Sequence, residues 1–520
     1  TGEQNTAVGY NALSANTSNF NTAIGEGSLS ANTTGNRNTA LGNNSGSALT
    51  TGSLNVIIGD SAGSALTTTS ENTIVGQEAL KTASSGSGNN TVVGYRAAAL
   101  NTTGNNTVAI GHYAAYTNTG VAGHIAIGKN AMYTSDGASQ TNVAIGFNAM
   151  DSATTAGDCI AIGEKALDDL TTGVANIAIG RYVGGDITTG TANVCIGSYD
   201  AAVQPAGRVI TTGSANVALG SGALQSSTTA DGNVAIGYAA LEENTASYNT
   251  AVGWKAGEAN TTGNYLTAVG NGALTRSTTG THNTCVGRDA GCYITTGLRN
   301  TVMGASAGDA GNWSDNTFIG YAAGTSCSDG IQHNTALGAS AGYNISTGSN
   351  NTLLGYNAGT SGSPSGVVND ESNVVCLGDN NVADLYCNDT SISSSDGRDK
   401  TDVEDFKYGL SWITELRPVT YRWDKRSWYA DEDGNWGNPD GSKKRDRLHI
   451  GFIAQEAIEV EKKHGYAAKK DDMLIVNQNL DDDPSYGMKY ERLVPVLVNA
   501  VKELSAENNS LKARLDAAGL

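Results

Sequence analysis

The chain has 520 residues, 67 of them glycine and 6 proline, and only 16% are charged, which excludes a single ordinary globular enzyme. Its formal net charge is −19, and 15 of those charges fall in residues 1–390, where 26 Asp and Glu face 11 Lys and Arg. Neutralising phosphates needs clustered Lys and Arg, so nucleic acid and an anionic membrane are excluded as main partners. No apolar run approaches the roughly 18 residues of a membrane span, and a start at Thr1 reads as a fragment or processed chain, with an anchor or export signal expected upstream.

From the first residues onward the chain repeats itself. "NTAVG" ends at Gly9, "NTAIG" at Gly25, "NTALG" at Gly42, and equivalents follow to Gly355 and, less perfectly, Gly378. The 22 copies lie 16 to 18 residues apart except for two gaps of 23. The residue before the glycine is aliphatic in 21 copies and Met303 in the other, Asn stands four before it in 17 copies, and Ala three after it in 17. Each unit predicts a short strand, a bend, a small-residue contact and a polar turn often written "TTG". Alternation places Asn, Ala and Gly on one face and Thr and the aliphatic residue on the other, so that one face packs closely while the other fills a core.

A 17-residue unit cannot bury its own apolar side chains, but stacked copies can, so the predicted fold class is mostly β: a parallel β-solenoid shaft over 1–360. Asn above Asn predicts amide ladders along the stack. At about 4.8 Å per coil the shaft would be roughly 100 Å long. Cys195, Cys285 and Cys376 occupy a position held mostly by Ala and are expected as small buried residues. Seven cysteines with no C-x-x-C give neither a disulfide framework nor a zinc site, and no metal or cofactor is expected.

With small residues around "NVAIG", this region resembles the head repeats of trimeric autotransporter adhesins and the fibre proteins of phages. The resemblance implies a homotrimer of left-handed parallel β-rolls with small residues between chains, although the 17-residue unit is longer than the adhesin repeat. A single-chain solenoid presenting threonines to ice or another crystalline surface is the alternative, against which the Thr positions form no regular T-x-T file.

"GHIAIGKN" at 123–130 nearly spells a phosphate-cradling loop, but Gly128 is the repeat glycine. "DEDGNWGNPDGSK" from Asp431 lacks the central Gly and final Glu of a calcium loop. Aromatic residues directly after the repeat glycine, namely Tyr10, Tyr95, Phe147, Tyr238, Trp254, Tyr321 and Tyr356, are candidates to contact a host-surface glycan or protein, because ring faces pack on sugars while polar neighbours bond hydroxyls.

Residues 361–394 read as a connector with the imperfect last repeat. From Ser395 the chain turns charged and aromatic: "SDGRDKTDV" at 395–403, "LRPVTYRW" at 416–423, "HIGFIAQE" at 449–456 and "YERLVPVLVNAVKEL" at 490–504. These segments resemble, in order and spacing, the intramolecular chaperone of endosialidases and phage tail fibres (peptidase S74). The resemblance implies an α+β domain at 395–520 that trimerises, aligns the shaft and cuts itself off between Ser394 and Ser395. Ser395 would be the nucleophile and Lys400 its general base, with Asp396 or backbone amides orienting the turn. The family usually has Leu before that lysine; here Asp399 works against a neutral amine.

Leu497, Val501, Leu504, Asn508, Leu511, Leu515 and Ala518 follow alternating spacings of 4 and 3, a heptad seam with a polar residue that rejects slipped registers. The whole reads as a homotrimeric fibre for host attachment, in a virion or otherwise extracellular, with other virion tail proteins expected to dock through a region upstream. A bacterial surface adhesin and a polysaccharide-degrading tailspike are the alternatives.

Overall fold

The computed structural model describes residues 2–84, 86–120, 122–134, 141–197, 204–382, 400–429, 437–478 and 486–519. The chain divides into two compact units, Thr1–Asn351 and Thr352–Leu520.

The first unit is a parallel β-solenoid. Its strands, from β1 (Thr6–Val8) to β20 (Thr335–Leu337), are three residues long and recur at the same place in successive copies, pairing in parallel so that like sits on like. Ala144 pairs with Ala161 and Ala161 with Ala178, for example. The middle residue is buried in every strand after β1, while the flanking Thr or Val and the aliphatic residue are not buried in any. The alternation is as expected from sequence, but the interior is the Asn and Ala face, and the aliphatic file looks outward.

What fills the interior instead comes from the turn. Leu29, Leu80, Leu167 and Leu274, each four residues after a repeat glycine, are fully buried. Where that position is glycine, the large side chain moves three residues on: Gly46 is followed by Leu49, Gly63 by Leu66, Gly184 by Ile187 and Gly291 by Ile294, all fully buried. A methyl on Gly63 would come within 2.8 Å of Leu66 Cδ1, so the two positions exchange volume within a core that holds one large group.

So much turn in so short a coil requires left-handed backbone. In the coil of Gly270, residues Tyr265, Gly272 and Leu274 have φ of 58°, 68° and 51°. A non-glycine residue there costs about 1–2 kcal/mol, and coil-to-coil bonds offset it: Gly272 N–H donates to Trp254 O at 3.0 Å and Leu274 N–H to Ala290 O at 3.1 Å. The "TTG" turns are bonded the same way, since Thr261 Oγ1–H donates to Thr278 O at 3.0 Å and Thr278 Oγ1–H to Thr295 O at 3.2 Å.

The asparagine ladder is present. Asn38 Oδ1 accepts from Asn55 N–H at 3.1 Å and from Asn55 Nδ2 at 3.0 Å, and Asn55 Oδ1 does the same for Asn72. The position faces the interior, where an unmade bond is costly. Cys195, Cys285 and Cys376 are buried as expected, and burial pushes the Cys195 thiol up to about 12.

One rung is a histidine. His124 Nδ1 accepts from Asn142 N–H at 3.1 Å, while its Nε2 is buried without a partner among the described residues. Desolvation lowers its pKa from 6.5 to about 4. Between those values the unfolded imidazole binds a proton that the folded one refuses, so this contribution is intact above pH 6.5 and is lost as pH falls towards 4. The linkage is worth about 3 kcal/mol. His124→Asn, which restores the common rung, is therefore expected to raise the thermal midpoint at pH 5 more than at pH 8; equal shifts at both would contradict the assignment.

The second unit opens with two more repeat strands, β21 (Thr352–Leu354) and β22 (Val375–Leu377), paired in parallel. Its C-terminal part is α+β: α1 (Leu410–Glu415), an antiparallel pair β23 (Val419–Tyr421) and β24 (His449–Gly451), α2 (Ala454–Lys463), a second pair β25 (Val476–Gln478) and β26 (Tyr486–Met488), and α3 (Leu493–Ala517). Trp412, Ile458, Val460, Val476, Leu493 and Val496 form its core. Glu461 is buried there and its carboxylate accepts three backbone N–H groups, from Leu474 at 2.8 Å, Ile475 at 2.7 Å and Val476 at 3.0 Å. That triple bond set ties α2 to the strand that follows it.

Candidate functional site

Three surfaces carry the residues singled out from sequence. At the junction, Lys400 is exposed, while Ser394, Ser395, Asp396 and Asp399 lie outside the described residues, as do residues 431–436 of the calcium-loop lookalike. The phosphate-loop lookalike holds strand β8 (Ile125–Ile127) and is an ordinary coil, with Gly128 at φ 133°.

On α3 the seam is open. Leu497, Val501, Leu504, Leu511 and Leu515 are 44–64% exposed. Inward-facing Leu493, Val496 and Ala500 anchor only the first turns. Asn499 Nδ2 donates to Phe406 O at 2.6 Å and Glu503 accepts from Leu410 N–H at 2.6 Å. Beyond Glu503 every described residue of the helix is exposed, Asn508 included. Four turns of helix without tertiary support are marginal in water.

The aromatic residues after the repeat glycines are all exposed, from 36% at Tyr95 to 75% at Tyr10, with Phe147, Tyr238, Trp254, Tyr321 and Tyr356 between. Tyr238 and Trp254 stack across consecutive coils at 6.5 Å and 12°. Lys129 Nζ lies 5.7 Å from the Phe147 ring and Lys255 Nζ 5.0 Å from Trp254.

Two further sets extend beyond the residues singled out from sequence. Tyr248, Tyr265 and His282, each five before a repeat glycine, form a file with centroids 5.8 and 5.0 Å apart. Tyr95, itself a candidate from sequence, joins His112, Tyr113, Tyr116 and Tyr133 in a five-ring cluster on three consecutive coils. Register carries the signal for the file and for the pair Tyr116 and Tyr133, which occupy like positions in successive copies that a search restricted to the position after the glycine passes over.

Among the described residues no group of three or more His, Cys, Asp or Glu is placed to hold a metal ion, and no helix is long and apolar enough to cross a membrane. The chain is thus a mostly β protein, a parallel β-solenoid with a small α+β unit at its C-terminal end. Residues 395–466 of that chain match the family model described as chaperone of endosialidase, which spans three of the four segments whose sequence resembles that domain. No curated protein and no solved structure matches the chain.

Proposed function

We propose that the chain is a structural fibre that works as a homotrimer in attachment to a host-cell surface, as in a phage tail or head fibre, and that its C-terminal domain aligns the three shafts and then severs itself. The observation that carries this reading is the outward aliphatic file. In 21 of the 22 copies the residue before the glycine is aliphatic and in the other it is Met303, and in each strand from β1 to β22 it is left at least partly exposed. Only a surface with the same coil spacing covers such a file without a gap, and another copy of the chain has that spacing. Near-identical coils would tolerate a one-unit slip, so an end clamp is needed to set the register. The match to the chaperone family and the open seam of α3 support that role for the C-terminal part.

In the cleavage step the Ser395 hydroxyl adds to the Ser394 carbonyl carbon while Lys400, as base, takes its proton. The peptide C–N bond then breaks as Lys400 returns that proton to the departing Ser395 amine, an ester links Ser394 to Ser395 Oγ, and water hydrolyses it to the Ser394 carboxylate and the Ser395 hydroxyl. Intact mass under denaturing conditions tests this. The wild type is expected to split before Ser395, with Ser395→Ala and Lys400→Ala both whole. A wild type that stays whole would overturn the self-removal step and leave the domain as a permanent tip.

A further inference from the structure

We propose that the five-ring cluster of Tyr95, His112, Tyr113, Tyr116 and Tyr133 is a binding site for a neutral glycan; this rests on the attachment reading and assigns the ligand class. The cluster is a local departure from the repeat. Five residues after the glycine the coils on either side carry Lys81, Ala99, Asp151 and Asp168, whereas the two between them carry Tyr116 and Tyr133. The fold therefore does not require rings there.

Their arrangement is ordered. Tyr95 and His112 stack at 5.2 Å and 27°, and Tyr116 and Tyr133 stack at 5.1 Å and 16°. Tyr113 stands between the two stacks, edge-on to all four rings at 76° to 89° and 4.3 to 5.8 Å. It is held there by a left-handed backbone, φ 58°, and by Arg96 Nη1, which donates to its hydroxyl at 3.4 Å. Tyr95 and His112 are exposed and the other three rings half-buried, so the cluster is anchored yet open to solvent.

The chemistry fits a sugar. Aromatic rings receive the apolar C–H faces of a pyranose, and tyrosine hydroxyls beside them bond its hydroxyls. Both cations at the rim are already engaged: Glu78 meets Arg96 at 2.6 Å and Lys81 at 3.0 Å, a net charge of only +1 with neither cation left unpaired to select an acidic sugar. The outward aliphatic file lies on the strands, whereas the rings lie one to five residues past the glycine, on the turn. The site is thus built apart from the surface assigned to neighbouring copies.

The test uses the purified full chain on an array of immobilised neutral oligosaccharides: glucan, mannan and galactan fragments. Binding to at least one is expected, weakened about tenfold or more by Tyr116→Ser with Tyr133→Ser at unchanged melting temperature, and retained by Tyr248→Ala with Tyr265→Ala. Should the serine pair unfold, Tyr116→Phe with Tyr133→Phe keeps the rings and is expected to weaken binding about threefold through the lost hydroxyls. Absence of binding to every neutral glycan, or equal binding by the variant pair that remains folded, would overturn the proposal. Adsorption of the wild type to a panel of bacterial cells separates the two readings: adsorption without array binding rejects the glycan site alone, and failure of both rejects attachment as well.

Discussion

Gly270→Ala is expected to cost the shaft about 3 kcal/mol or more, as the same change would at its equivalents along the glycine file. Gly270 sits at φ 137°, which L side chains rarely adopt. A Cβ built there would lie 2.3 Å from Gly287 O and 2.6 Å from Gly287 C. That carbonyl is backbone of the next coil, and Gly287 is fixed in turn, since its N–H donates to Val269 O at 2.7 Å. Neither partner can withdraw without breaking bonds on both sides of the coil. Gly330→Ala, in the same unit, is the control: φ is 86° there, also positive, but nothing lies within 4 Å, so only the backbone strain of about 1 kcal/mol is expected. Guanidinium unfolding of both variants checks the contrast. Equal, small losses would mean that the glycine file is not what sets the close approach of successive coils.

The second large effect concerns assembly. Leu504→Glu with Leu511→Glu places two carboxylates per chain in the seam of α3, where the leucines are 51% and 56% exposed in the single chain. If three helices bury those six leucines against one another, the loss is on the order of 10 kcal/mol per trimer, at about 1.5–3 kcal/mol each. The variant is expected to be monomeric, with the helix beyond Glu503 frayed and the core around Trp412 intact, because Leu493, Val496 and Ala500 make the only buried contacts of the helix. A variant that remains oligomeric would place assembly elsewhere, on the strands of the shaft.

Much of this was legible in the sequence because the repeat is short and regular. One strand per copy, its parallel register and the asparagine ladder follow from the spacing of "NTAVG" alone. Which face is inside did not follow. Period-two alternation separates Ala from Val but does not orient them, and the decision is made by Leu29 or Leu49, residues of a turn that looks polar until its left-handed backbone is known. The exchange between Gly46 and Leu49 is the signal that was available, since a small residue at one position and a large one at the next recur together. The seam on α3 was legible from its heptads. Glu461 was not: it stands among Glu456 and Glu459 in one helix, and only the approach of the chain at 474–476 distinguishes the buried carboxylate from the solvated ones. The aromatic cluster needed the copies to be laid in register before Tyr116 and Tyr133 fell at one position of neighbouring coils.

On the proposed function the chain assembles as three copies aligned from the C-terminal end, and native mass measurement of the full chain at micromolar concentration decides it. Three copies are expected for the wild type and one for Leu504→Glu with Leu511→Glu. A wild-type monomer with a folded shaft would contradict the claim, and would leave the aliphatic file of the solenoid facing water.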